Sequence, residues 1–338
     1  MALDQVHFDQ IDPATLAGIP DINSVRFDNS TTGFLPQALQ YFAPQVLETK
    51  YPDTMFANGE LVPSSPLTMP GVKEITYKRE DVLGEFQPVG NNVSQVAPID
   101  VNVSDLTYKT RYYAGYVSYS IMDNQRSETA QKLAGAYQGP IADLAQRKLN
   151  ALQLAYMRKR DQLIALGDEE VPGFLNNPDI PTTYTAVPFS NASTPDAILT
   201  VLHTLANSVS QETQQTHFPN VLILAPAEFD YISTTRRASP ADKTILQTFL
   251  DDQKAMGQIT KVVKNVRLTG RGDVSANNNI AMVYELNPEV LESFTPMPLQ
   301  ILAPQQHGLE FRVYGVFQTG GTHVKYPRAC RRLEIAAA

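Results

Sequence analysis

The side chains that could do chemistry are scattered through this chain without the spacing that chemistry needs. Histidines stand at His7, His203, His217, His307 and His323. No two of them have the i, i+4 spacing of an H-E-x-x-H helix, which would set two imidazoles around zinc. His323 and Cys330 fall in one closing segment, but two ligands are fewer than a zinc site takes. Asp168, Glu169, Glu170 and Asp179 could attract calcium. Their spacing is not that of an EF-hand loop, and a solvated connector accounts for them. No G-x-S-x-G elbow, phosphate-binding loop or dinucleotide glycine pattern occurs, so nothing marks a nucleophile or a nucleotide site. The expectation is no catalytic residue, no cofactor and no metal. Arg271-Gly272-Asp273 spells an integrin-type tripeptide; three residues recur by chance, and an exposed turn is the expected role.

Positive charge is the remaining chemistry. Arg147, Lys148, Arg158, Lys159 and Arg160 share one helical stretch, and Lys325, Arg328, Arg331 and Arg332 cluster near the end. Their ordinary role is to pair with carboxylates or sit in water. The net charge of −8 argues against a whole-chain nucleic-acid reader, because counterion release needs a basic footprint. A local basic face is compatible with it, since phosphate contacts need only charge.

The elements that carry these residues come next. The 338 residues suffice for two compact domains or one body with large appendages, and 43% are hydrophobic, enough for a core. No run of ~18 apolar residues occurs, so no membrane span is expected. The N-terminus lacks the layout of a signal peptide. Cys330 stands alone, which excludes an internal disulfide and points to folding in the cytosol.

Residues 1–33 are too often broken by Asp, Asn, Pro and Gly for long elements. A short amphipathic helix is expected over Leu35–Lys50, and Thr54–Met69 reads as extended. Val72–Arg79 alternates as a strand, Gly84–Pro98 is a turn region, and Ile99–Ile121 has strand composition, with five tyrosines among valines. Fully extended, that last run would span roughly 75 Å at ~3.3 Å per residue. A compact chain of this length should be ~50 Å across. A long hairpin with a flexible tip is therefore expected, its longer limb continuing into the body. Its apolar face needs a neighbour.

Ser127–Gly139 has a weak helical tendency. Pro140–Leu166 then predicts a helix roughly 40 Å long at ~1.5 Å per residue, with Pro140 at its first position and Gly167 ending it. Asp168–Pro188 is a connector. Thr194–Val209 is a helix with Thr194 as N-cap, and Val221–Leu224 is a short buried strand. Helices follow over Ala227–Ser233 and Ala241–Asp252. Strands are expected over Thr260–Leu268, Ile280–Tyr284, Leu299–Leu302, Glu310–Phe317 and Thr322–Glu334, with Gly320-Gly321 as a hairpin turn between the last two. The class is α+β.

Two strings carry a resemblance. Gly173-Phe174-Leu175-Asn176-Asn177-Pro178 follows the long helix, and Arg328-Ala329-Cys330-Arg331-Arg332-Leu333-Glu334 closes the chain. With the order arm, hairpin, long helix, mixed α/β domain and closing strands, they resemble the major capsid proteins of tailed bacteriophages, the Hong Kong 97-type or Johnson fold. The layout covers nearly the whole chain. The resemblance implies an N-terminal arm over residues 1–71 and an E-loop hairpin over 72–121 that lies on a neighbouring subunit. It implies a peripheral domain over 122–193 with its spine helix at 140–166, and an axial domain over 194–298 whose loops meet around five-fold and six-fold axes. Closing strands over 299–338 would return to the peripheral domain.

The function so implied is self-assembly into the icosahedral head of a tailed phage around double-stranded DNA, with no enzymatic role. Partners would be copies of the chain in pentamers and hexamers, and packaged DNA held by non-specific contact. Arg158, Lys159 and Arg160 are the candidate DNA-facing residues. Portal, separate scaffolding and decoration proteins are further implied partners; no membrane is. The place would be the virion, assembled in the host cytoplasm. No large cleaved prodomain is expected ahead of the hairpin. An encapsulin-type bacterial compartment shell, with the same fold around cargo protein, is the alternative. An enzyme with an accessory hairpin, a small soluble oligomer, is a third.

Overall fold

The computed structural model describes residues 53–86, 98–123, 125, 129, 144–237 and 242–337. The irregular arm and the helix expected over Leu35–Lys50, the hairpin tip at 87–97, most of Ser127–Gly139 and the expected helix start at 140–143 lie outside the described residues.

Short runs of uninterrupted apolar residues form the centre of a five-stranded sheet. Its strands are β4 (Thr182–Thr185), β5 (Val221–Leu224), β6 (Lys261–Lys264), β7 (Asn279–Tyr284) and β13 (Cys330–Ile335), in the order β4-β13-β7-β5-β6. Side chains alternate across a strand, so the central strands β5, β7 and β13 each feed two cores. Val221, Ile223, Ile280, Met282, Tyr284 and Cys330 point into one core with Phe56, Leu61, Ile164, Phe174 and Leu175. Leu222, Leu224, Ala281, Val283, Leu333 and Ile335 point into the other, against Ile198, Leu202, Leu205, Ile232 and Phe249. The helices of that second layer are α2 (Pro195–Glu212), α3 (Pro226–Thr234) and α4 (Ile245–Ala255). Thr194 caps α2 by accepting from the Ala197 amide, and Thr244 with Gln247 closes a capping box on α4.

The long helix α1 (Leu144–Leu166) ends at Gly167, which sits at φ +72. The chain then turns back on itself so closely that a Cβ on Gly173 would stand 2.2 Å from the Gly167 nitrogen. The amides of Phe174 and Leu175 donate to the carbonyls of Ile164 and Ala165. Those are orphan acceptors of a helix end, so the Gly173–Pro178 string is a helix terminator with core residues attached.

A second sheet joins β3 (Arg111–Ser120), β9 (Met297–Ile301), β10 (Gln305–His307) and β11 (Glu310–Thr319). Gly115 and Gly315 stand directly opposite each other in it. The missing side chains make room for Leu152 of α1, whose methyl would lie 3.1 Å from a Cβ on Gly315. Tyr113, Phe317 and Tyr156 stack beside this step.

Four expectations change. The Ile99–Ile121 run is not one strand. Thr110 divides it into β2 (Asp100–Lys109), which pairs with β1 (Glu74–Leu83), and β3, which pairs with β11. The hairpin ladder is therefore ten rungs long, roughly 33 Å at ~3.3 Å per residue, and the rest of the longer limb runs into the body. Thr322–Glu334 is also two strands. Pro327, which cannot donate to a ladder, opens a 3₁₀ turn between β12 (Gly321–Val324) and β13. Gly320-Gly321 makes no hairpin, because β12 pairs with β8 (Leu291–Phe294). The segment Thr54–Met69, expected to be extended within the arm, turns at 55–60 and buries Phe56, Leu61 and Val62 completely. Asp161 of α1 holds that turn, accepting from the amides of Phe56 (2.9 Å) and Ala57 (3.1 Å). β13 itself lies between β4 and β7, parallel to the first and antiparallel to the second.

Candidate functional site: an anchored hairpin with an uncovered end

The β1–β2 hairpin changes character along its length. One face near its base carries Ile75 and Tyr77 of β1 opposite Tyr108 and Leu106 of β2. Tyr108 is buried, stacked on the His323 ring at 4.3 Å, and its hydroxyl donates to the Val324 carbonyl at 2.8 Å. The Val324 amide donates back to the same oxygen at 3.1 Å. Tyr77 donates to Glu292 Oε1 at 2.7 Å, and Lys325 meets that carboxylate at 3.2 Å. With the Tyr77 hydrogen committed to Glu292, His323 Nδ1, 3.1 Å away, is the donor to the Tyr77 oxygen. Below this, Gln318 accepts from the Gly71 amide and donates to the Val72 carbonyl and to Thr110 Oγ1. Thr110 itself donates from its amide to the Lys73 carbonyl and from its hydroxyl to the Val72 carbonyl. That bonding is why the limb breaks where it does.

The electrostatics fit a dry, closed root. Burial pushes the Tyr108 hydroxyl up to about 12. Burial and then Glu292 push Tyr77 higher still. Burial lowers His323 to about 3, so the ring is neutral near pH 7.

From the rung Lys78–Asp105 outward, none of the described residues covers the hairpin. Residues 78–83 and 100–105 are all exposed. Val82 (66% exposed), Val101 and Val103 (each 50%) share one face, while Leu83, Ile99 and Phe86 lie near the tip. Such an apolar end, which begins five positions from the Tyr77 and Tyr108 anchors, has the form of an interaction surface.

The basic residues singled out in the sequence do not form one face. Consecutive helical positions point ~100° apart, and here they take different surroundings. Arg158 is exposed, Lys159 lies 5.7 Å above the Tyr113 ring, and Arg160 donates to Ser64 Oγ at 3.3 Å. Lys148 donates to the Ser118 carbonyl. Arg147 is exposed and, eleven positions before Arg158, falls on the same helix face after three turns. In the closing cluster, Arg331 pairs with Glu212 and Arg332 with Asp273 at 3.0 Å.

Of the histidines, His203 meets Asp252 at 3.3 Å, His217 meets Glu285 at 2.7 Å, and His307 is exposed on β10. Asp168 and Glu170 face Arg111 at 3.8 and 3.9 Å. Among the described residues, no three His, Cys, Asp or Glu are grouped to hold a metal, and no helix is long and apolar enough to cross a membrane. Sequence reasoning missed the root residues Glu292, Gln318 and His323. Their partners lie more than 200 positions away, and no local pattern signals such pairs.

The comparisons with known proteins agree with this architecture. The model of the family described as "Major capsid protein" matches residues 85–335. The chain resembles the capsid of Myoviridae phage XM1 with a TM-score of 0.74 at 16% identity, over 91% of this chain and 100% of that one. It resembles the capsid of the native GTA particle (TM-score 0.57, 13% identity, 89% and 96% covered) and a protein of Mycobacterium phage Ogopogo (0.57, 14%, 89% and 97%). No curated protein sequence matches. With three quarters of its length inside the family model and the α+β Hong Kong 97-type fold of these phage capsids throughout the described body, the chain belongs to the major capsid protein family.

Proposed function

We propose that copies of this chain close into the icosahedral head of a tailed phage, as pentamers and hexamers around double-stranded DNA, with the hairpin of each copy lying on a neighbour. The role is mechanical and not catalytic. One observation carries the reading. The hairpin is clamped at its root by Tyr77, Tyr108 and Gln318, yet its distal valines have no cover among the described residues. A two-stranded hairpin is marginal in water on its own. The same end seated on another subunit contributes one of many modest contacts that add through multivalency.

The domain reading is part of the proposal: arm over 1–71, E-loop over 72–121, peripheral domain over 122–193, axial domain over 194–298, closing strands from 299. Arg158, Lys159 and Arg160 are the DNA-facing residues in this reading; Lys159 also lies over the Tyr113 ring and Arg160 also donates to Ser64 Oγ. Portal, scaffolding and decoration proteins are the further partners, and assembly takes place in the host cytoplasm.

Sedimentation and electron microscopy of the purified protein, with analysis of particle contents, test this directly. The expected outcome is closed shells of megadalton mass that hold DNA when assembled in infected cells. The triple variant Arg158→Gln/Lys159→Gln/Arg160→Gln should form the same shells with less retained DNA. A small soluble oligomer would overturn the shell. Shells filled with protein cargo would overturn the genome-holding role.

A further inference from the structure

The integrin-type tripeptide Arg271-Gly272-Asp273 lies in the connection from β6 to β7, and the function proposed above leaves it unused. That connection closes around a buried anion. Glu334 of β13 is fully buried. Its carboxylate accepts from three successive backbone amides, Asp273 at 2.8 Å, Val274 at 3.0 Å and Ser275 at 3.1 Å, and from Asn278 Nδ2 at 2.7 Å. Successive N–H groups aimed at one point form an anion nest. Burial alone raises the Glu334 carboxyl, but these donors outweigh it and hold it below the usual carboxylate range.

Every residue of the tripeptide is engaged in this arrangement. The Arg271 carbonyl accepts from Arg332 Nη2 at 2.6 Å, and the Arg271 and Gly272 amides both donate to the Asn278 carbonyl at 3.0 Å. A Cβ on Gly272 would stand 2.3 Å from Glu334 Oε1 and 2.5 Å from the Ser275 carbonyl, so glycine is the wall of the nest. Asp273 gives its amide to Glu334 and both carboxylate oxygens to Arg332, Oδ1 at 3.1 Å and Oδ2 at 3.0 Å. A two-pronged arginine–carboxylate pair adds geometric specificity to its strength. Farther along the closing segment, the Ala337 amide donates to Asn278 Oδ1 at 3.0 Å.

A short motif means what its setting allows. A receptor that reads this tripeptide must take the aspartate carboxylate. Taking it here would leave the Arg332 side chain, only 7% exposed, without its ion-pair partner, and a buried charge stripped of its partner is strongly destabilising. Swinging the backbone outward would pull the Asp273 amide from the Glu334 carboxylate and open the nest around a buried charge.

We infer that the tripeptide is one half of an internal clasp and not a recognition motif: Gly272 and Asp273 close on Glu334 and Arg332, and the clasp fixes β13 to the β6–β7 connection. Glu334 and Arg332 are its positioning residues. The clasp reaches beyond the loop, because β4 joins its sheet through β13.

The test compares the full-length wild type with Gly272→Ala, Glu334→Gln and the double variant. One readout is the rate of tryptic cleavage after Arg271. The other is binding to a receptor of the integrin class, with a linear peptide of residues 270–275 as the reference. The wild type should resist cleavage and bind at least a hundredfold more weakly than the peptide. Each single variant should be cut at least tenfold faster than the wild type. The double variant should be cut no faster than the quicker single one, because both changes open the same clasp. Wild-type binding as tight as the peptide's, cleavage unchanged in both single variants, or effects that multiply in the double variant would overturn the inference. If the variants do not fold, receptor binding by the wild type decides alone.

Discussion

The five-stranded sheet and the β1–β2 hairpin use the same apolar residues to opposite ends. All four residues of β5, Val221-Leu222-Ile223-Leu224, are buried on both faces. In the hairpin, Val82, Val101 and Val103 stand at least half exposed, and Tyr108 is the buried residue of the two strands. Burial is worth roughly 25 cal/mol per Å² of apolar surface removed from water, and among the described residues the sheet collects it while the hairpin's valines do not. The difference separates a part that buries its apolar residues from a part that the described residues leave uncovered. It can be broken from either side, and the largest effect lies on the sheet side. Phe249 of α4 is completely buried against Leu222 and its neighbours. Phe249→Ala should cost about 3–5 kcal/mol through lost transfer energy and the cavity left behind. Urea unfolding measures it; a loss under ~1 kcal/mol would mean that this layer is not the source of stability.

The hairpin root sits between the two extremes, and pH is the way to isolate it. His323 is held at about 3 by burial in the folded chain, against ~6.5 when unfolded. Between those values the unfolded state binds a proton that the folded state refuses. The contribution of a neutral His323 is thus fully present above ~6.5 and declines as pH falls toward 3, by at most ~1.4 kcal/mol per pH unit. His323→Gln keeps a neutral polar side chain and removes the titration. The urea midpoint of the wild type should fall more steeply from pH 7 to pH 5 than that of the variant. Parallel profiles would show that the ring is not shut in the root between Tyr77 and Tyr108.

Which parts were legible in the sequence follows from the range of the interactions. The buried strand Val221–Leu224, the Thr194–Pro195 helix start and the Gly167 helix end rest on neighbours in sequence, and local patterns expose such elements. The break at Thr110 does not, because the residues on either side keep strand composition. What divides them is Gln318, 208 positions on. Asp161 reads as one polar residue on a helix, but it is fully buried and binds the Phe56 turn and Arg267 together. The site was legible as a hairpin and not as a root with a free end. Strand pattern tells which residues alternate, whereas cover depends on what else the chain brings there.

The smallest effect on the chain itself should come from the hairpin's free end. Val82 and Val101 face each other across one rung, both exposed. Replacing both by Ser removes apolar surface that water already touches, so the fold has little to lose. Exposed substitutions of this kind usually fall within ~0.5 kcal/mol, and the cross-strand contact itself is worth ~0.2–1 kcal/mol. A neighbour that covers this face in the shell loses the burial of both side chains, repeated at every copy. The double variant should therefore unfold in urea almost as the wild type does while its yield of closed particles in sedimentation collapses. Equal loss in both measurements would mean that the free end packs on its own body, and unchanged particle yield would mean that the valine face meets no neighbour.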